Sequence, residues 1–349
     1  MELVVGASRE HGGCKEHRLI MSQLPLLSFV LALAQTAAPT PSTPPSAAIG
    51  TVVSKVETTT PGVVAEGVEI RRLAEGQIFT EGPACDAAGV LYWTDIPRNE
   101  LMRLAPDGKP EVALEKTEGL NGLAFAADGT LYGCAGGSGR IVKIDLAAKA
   151  MSTVCDARED GTPLGRVNDL CIARDGTIYF TAPIIGRKTA ETPADALLAV
   201  ASSGGKAKVL ITDVRAPNGV RLSLDEKTLF VLPYLDRKMR AYPIVSPMTL
   251  GEGRVFYEIP PGTREQTAGD GLCIDSEGTV YITVPARAKI FILSKEGVAL
   301  GDIRFPENPS NCFLGGPTGH TLYVTAVRGV YAVELERNAP VKRASTLKP

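Results

Sequence analysis

The sequence predicts an all-β protein: a six-bladed β-propeller with four antiparallel strands per blade. Three observations carry this. One hairpin pattern is written six times, as a short apolar run, a turn such as Asp175-Gly176, and a second apolar run. Glycine in such a turn accepts the positive φ that joins two antiparallel strands tightly. The copies begin at residues 81, 121, 168, 218, 270 and 311, so successive differences are 40, 47, 50, 52 and 41 residues. An all-strand repeat of roughly 40–50 residues builds one blade at a time. Finally, 36 glycines and 25 prolines supply the turns of such a fold, and no long helical period outweighs the alternation.

The elements follow in order. Residues Val68–Leu73 alternate and read as a strand ahead of the first repeat. Propellers close by pairing an early strand with the last blade, so this strand is expected beside Val330–Leu335. Blade one takes Glu81–Cys85 and Val90–Thr94 as its inner hairpin, with outer strands Glu100–Leu104 and Pro110–Leu114. Blade two takes Asn121–Phe125 and Thr130–Tyr132, then Arg140–Ile144. Blade three takes Asp169–Ala173 and Thr177–Thr181, then Ala196–Val200 and Ala207–Ile211. Blade four has Asn218–Leu222 and Thr228–Phe230. Blade five has Asp270–Ile274 and Thr279–Thr283, then Lys289–Leu293. Blade six has Asn311–Leu314 and Thr321–Thr325.

Residues 1–48 differ from the rest, and the propeller is assigned to 49–349. Lys15 and Arg18 precede the apolar run Leu24–Ala34, and small residues follow at Ala37 and Ala38. That order reads as a secretory signal peptide, too short to span a bilayer. The Pro/Thr/Ser-rich segment after it reads as a linker. Export to a periplasmic or extracellular location is therefore expected. The net charge of −2 is mixed along the chain, with no basic stripe, so nucleic acid is not an expected partner.

Seven cysteines include no CxxC pair, which gives no sign of a cysteine zinc site. Cys85, Cys171 and Cys273 fall at similar strand positions and are expected to pack between blades as buried free thiols. The three histidines are His11, His17 and His320. Two lie in the leader and one in a hairpin turn, which leaves a Ser-His-Asp triad without its base and a zinc site without imidazole ligands.

The feature that points to chemistry is the residue leading each repeat: Glu81, Asn121, Asn168, Asn218, Asp270 and Asn311. All six carry a carboxylate or amide oxygen. Innermost strands line a propeller's central channel, so like-placed residues should meet around its axis. Such a ring suits a hard divalent cation, Ca²⁺ foremost, with Zn²⁺, Mn²⁺ and Mg²⁺ as other candidates. Glu81 and Asp270 would match its charge, and Asn168 and Asn218 would add neutral oxygens. The plainer alternative is a water-filled polar channel.

Glu81-Gly82-Pro83, Arg166-x-Asn168-Asp169, Pro217-Asn218-Gly219, Asp270-Gly271-Leu272-Cys273-Ile274-Asp275 and Ser310-Asn311-Cys312-Phe313 together resemble the gluconolactonase/SMP-30 (regucalcin-like) family over residues 70–336. The resemblance implies a six-bladed propeller with one catalytic divalent metal, usually Ca²⁺, that opens lactones. It implies Glu81, Asn168, Asn218 and Asp270 as metal ligands, Asp270 as acid/base, and Arg166 as a substrate contact. Asn121 and Asp169 complete the site as further candidates for binding substrate. The chain departs from the bacterial pattern at Ala182, where an aspartate is usual. A small-molecule lactone is the expected partner. A phosphotriesterase-like hydrolase and a non-enzymatic binding propeller are the alternatives, the latter echoed by Tyr92-Trp93-Thr94-Asp95.

Overall fold

Alternating apolar residues in short runs, punctuated by glycine turns, produce strands with both faces buried. The computed structural model describes residues 49–184, 192–262 and 269–340. The leader and the linker lie outside these residues. Two strands precede the repeats, β1 (Thr51–Lys55) and β2 (Glu69–Ala74). Blade one follows as β3 (Thr80–Cys85), β4 (Leu91–Asp95), β5 (Glu100–Leu104) and β6 (Pro110–Glu115). Blade two comprises β7 (Leu120–Phe125), β8 (Leu131–Ala135), β9 (Arg140–Asp145) and β10 (Ala150–Cys155). Blade three comprises β11 (Leu170–Ile172), β12 (Thr177–Ala182), β13 (Ala196–Ala201) and β14 (Lys208–Ile211).

Blade four is built from β15 (Pro217–Leu222), β16 (Thr228–Pro233), β17 (Lys238–Ser246) and β19 (Arg254–Glu258), with the two-residue β18 (Thr249–Leu250) appended. Blade five holds β20 (Leu272–Ile274), β21 (Val280–Val284), β22 (Lys289–Leu293) and β23 (Ala299–Arg304). Blade six holds β24 (Pro309–Gly315), β25 (Thr321–Ala326) and β26 (Gly329–Glu334), completed by β2 and β1. The closing strand is where alternation placed it: β2 runs antiparallel to β26, with Ile70 opposite Val333 and Arg72 opposite Tyr331. The addition of β1 makes this a five-stranded sheet.

The core is divided into six apolar clusters, one between each pair of neighbouring blades. Strand alternation does the dividing, because successive side chains leave opposite faces. Leu91 and Trp93 pack towards blade six, while Tyr92 between them packs towards blade two. Ile178 and Phe180 pack towards blade two, and Tyr179 towards blade four. The six cysteines of the described residues are buried. Cys171 and Cys273 face the following blade. Cys85 instead faces the preceding one. It lies one residue further from its lead, and a single step along a strand reverses the side.

Four threonines at one position of the second strands, Thr94, Thr181, Thr283 and Thr325, are fully buried. Their hydroxyls tie the inner strands together. Thr94 donates to the Asn121 carbonyl at 3.1 Å, Thr181 to the Asn218 carbonyl at 2.7 Å and Thr283 to the Ser310 carbonyl at 3.0 Å. In blade six, Thr325 hydrogen-bonds the Ser310 hydroxyl, which itself donates to the Thr80 carbonyl of blade one at 2.7 Å. The recurring Tyr-x-Thr is thus an inter-blade fastener, which accounts for the pattern without a scaffold role. Thr181→Val keeps the shape but leaves the buried Asn218 carbonyl without this donor. It should lower stability by about 1–3 kcal/mol, read by chemical denaturation; unchanged stability would show the bond to be idle.

Candidate active site in the central tunnel

The lead residues reach the axis because the inner strands converge there, and convergence demands close backbone approach. Gly82 has φ 54°, and a Cβ on it would lie 2.2 Å from the Asn121 carbonyl oxygen. A Cβ on Gly271 would lie 1.9 Å from Asn311 Oδ1. Only glycine fits at such positions. Peptide groups then bond across blades: Gly122 N–H to Asn168 O at 2.9 Å, Gly219 N–H to Asp270 O at 2.8 Å and Gly271 N–H to Ser310 O at 2.8 Å. In blades three and five the regular inner strand begins at Leu170 and Leu272, not at Asp169 and Asp270 as expected. The chain there bends towards the axis, although the Asn168 N–H still reaches Thr181 O and the Asp270 N–H reaches Thr283 O.

All six lead residues are buried: Glu81, Asn121, Asn168, Asn218, Asp270 and Asn311. Asp169 is buried beside them. Glu81 Oε2 accepts from the Gly82 N–H at 2.9 Å and from Asn311 Nδ2 at 3.1 Å. Asn311 Oδ1 in turn accepts from the Cys312 N–H at 2.9 Å, which fixes its amide orientation. Asp169 Oδ1 accepts from the Leu170 N–H at 2.8 Å. Among the side chains of this set, two buried oxygens have no hydrogen-bond partner: Asp169 Oδ2 and Asn121 Oδ1.

Three carboxylates are buried near one another, and their burial and charges raise proton affinities. Burial pushes Glu81 up to about 7; the Asp169 charge adds to this, while the Gly82 N–H and the Asn311 amide oppose it. Burial, then the charges of Glu81 and Asp169, hold Asp270 well above the usual carboxylate range, with the Asn218 amide pulling the other way. Asp169 is raised by burial, and Arg221 is the strongest influence holding it down. Both like charges and low dielectric disfavour the ionised forms.

Arg166 lies just outside this set. It is exposed, two residues before Asn168, and among the described residues its guanidinium has no hydrogen-bond or ion-pair partner. Asn168 and Asn218 stand at the inner ends of blades three and four. Ala182 ends β12 opposite Ala196 and packs into the apolar cluster between blades two and three. Its blade-one counterpart Asp95 accepts from the Ile78 and Phe79 N–H groups at 3.0 and 3.2 Å, shaping the segment that delivers Glu81. His320 lies in the β24–β25 turn, at the other end of the strand from Asn311.

The donor set fits a hard cation. Its oxygens are divided between carboxylates and amides, and among the described residues no three His, Cys, Asp or Glu side chains cluster tightly enough to hold an ion unaided. The buried, mutually repelling carboxylates Glu81 and Asp270 are the groups a cation would neutralise. Two contributors were not visible beforehand. Arg221 carried no repeat signal, and Asn311's grip on Glu81 depends on blade six meeting blade one.

The model of the SMP-30/gluconolactonase/LRE-like region matches residues 79–328. The chain belongs to this family. The matched span contains every lead residue from Glu81 to Asn311. A gluconolactonase of Zymomonas mobilis subsp. mobilis is 26% identical over 323 residues, covering 81% of this chain and 87% of that protein. Among solved structures, a gluconolactonase from Xanthomonas campestris superposes with TM-score 0.68 at 26% identity, covering 77% of this chain and 90% of that one. A calcium-binding protein, regucalcin, from Agrobacterium tumefaciens shares the fold with TM-score 0.66 at 20% identity, covering 84% of this chain and 99% of that one.

The raised Glu81 sets a pH dependence in chelator. Its folded pKa exceeds the ordinary 4.5, so its stabilising effect is complete below about 4.5 and fades as pH rises through about 7. The loss is on the order of 3 kcal/mol by linkage. Denaturation in EDTA should show stability falling between about pH 4.5 and 7, with Glu81→Gln making the fall shallower. A flat wild-type curve would contradict the shift.

Proposed function

We propose that this protein is a metal-dependent lactonase that opens a sugar-type lactone by adding water to its carbonyl. The observation carrying the reading is the tunnel of buried, mutually repelling carboxylates with orphaned oxygens, set in a family whose similar members include gluconolactonases. Glu81, Asn168, Asn218 and Asp270 would hold one divalent cation, with Ca²⁺ favoured by the all-oxygen donors and by the calcium-binding relative of the same fold. When bound, the cation supplies Lewis-acid polarisation of the carbonyl.

The chain's own groups do the rest. Asp270 has an unusually high proton affinity in this setting, which suits it to take the proton of the attacking water and return it to the departing ring oxygen. Asn218, whose amide lowers that affinity, orients the carboxylate. Asn311 holds Glu81 in place. Asn121 and Asp169 present their free oxygens to substrate hydroxyls. Arg166, unpartnered at the rim, meets the carboxylate that forms. In the same reading the leader exports the enzyme.

Hydrolysis of a lactone panel with and without EDTA tests this directly. Turnover should require added divalent metal, and absence of turnover under all conditions would leave a binding propeller. Asp270→Asn should lower kcat by about 10²–10⁴-fold with the melting curve retained, and wild-type turnover would remove Asp270 from the chemistry. Arg166→Ala should raise KM more than it lowers kcat; the reverse pattern would place Arg166 in the chemical step.

A further inference from the structure

The six innermost strands read TEGPAC, LNGLAF, LCI, PNGVRL, LCI and PSNCFLG. They contain one basic residue, Arg221. Three places beyond the lead, the other blades carry Ala84, Ala124, Cys171, Cys273 and Leu314, so an arginine here is an exception. Its Nε and Nη2 donate to the Leu272 carbonyl of blade five at 3.2 and 3.0 Å. Its charge also bears on Asp169 and Cys171 of blade three and on Cys312 of blade six. The space shared by blades three, four, five and six is the tunnel interior, so the guanidinium sits inside the ring of inner strands.

We propose that Arg221 is a built-in counter-charge that sets the net charge of the tunnel to match one divalent cation. This rests on the metal reading given above. Ionised Glu81, Asp169 and Asp270 bring three negative charges, and the Arg221 guanidinium brings one positive. Two negative charges are left over, the charge of one divalent ion. Without Arg221 the tunnel favours a trivalent ion or holds an extra proton. In this reading Arg221 is a positioning residue that acts through the field at the site. Hydrogen bonding to Leu272 O fixes where that charge stands, and the neighbouring blade therefore takes part in setting ion preference.

The test titrates the full chain, stripped of metal, with Ca²⁺ and with Tb³⁺, the latter read by its luminescence. Removing one nearby positive charge strengthens trivalent binding more than divalent. Arg221→Gln and Arg221→Met should therefore raise the Tb³⁺/Ca²⁺ affinity ratio by about tenfold or more. Arg221→Lys keeps the charge and should hold the wild-type ratio within about twofold. Adding Asp169→Asn to Arg221→Gln restores the net charge and should bring the ratio back. Arg221→Gln retains a donor for Leu272 O and carries the test should Arg221→Met fail to fold. Unchanged ratios in folded Gln and Met variants overturn the proposal, as does a Lys variant that shifts like them, which would assign the effect to bond geometry. A wild-type chain that binds neither ion overturns the metal reading and this inference together.

Discussion

Convergence of six strands on one axis is the constraint from which the rest follows. Strands that meet this closely cannot keep side chains at every position, so glycine follows four of the six lead residues. Their peptide groups cannot reach water either, so neighbouring blades satisfy them: Gly122 bonds to Asn168, Gly219 to Asp270 and Gly271 to Ser310. Buried backbone groups left unpaired would cost more than these bonds contribute. The same crowding desolvates Glu81, Asp169 and Asp270 and raises their proton affinities. Fold and chemistry therefore share one cause.

Much of this was readable from the sequence because a propeller repeats itself. Any residue type recurring at one place in the repeat must lie at one height in the ring, so the lead oxygens could be grouped before their geometry was known. Inner hairpins, the outer strands of blades one and three and the closing β2–β26 pair followed from alternation. What stayed hidden depends on singular contacts. Arg221 occupies a position that is small or apolar in every other blade, so no repeat logic reaches it. The start of β11 at Leu170 reflects a local bend whose energetics lie in the Asp169 side chain capping its own chain. Thr181 and its counterparts were visible as a pattern, yet their purpose was not, since β-propensity alone explains threonine in a strand.

The tunnel also explains why a chain without usable histidine can belong to a family that includes gluconolactonases. Imidazole supplies a base near neutral pH because of its intrinsic pKa. Here the ionisable groups of the lead positions are carboxylates, and burial lifts Glu81 up to about 7 and holds Asp270 well above the usual carboxylate range. A rigid ring suits that strategy, because the repulsion that lifts the proton affinity would otherwise push the groups apart. The blade interfaces, each with its own apolar cluster, resist that separation.

The seam between β2 and β26 has a consequence for biogenesis. Ile70 leaves the ribosome long before Val333, yet they become neighbours. Blades one to five can each acquire their local pairing while translation proceeds. The circle itself cannot shut until the sixth blade has emerged. Until then two sheet edges stand open, a window in which strand-adding partners, helpful or harmful, compete with the chain's own first segment.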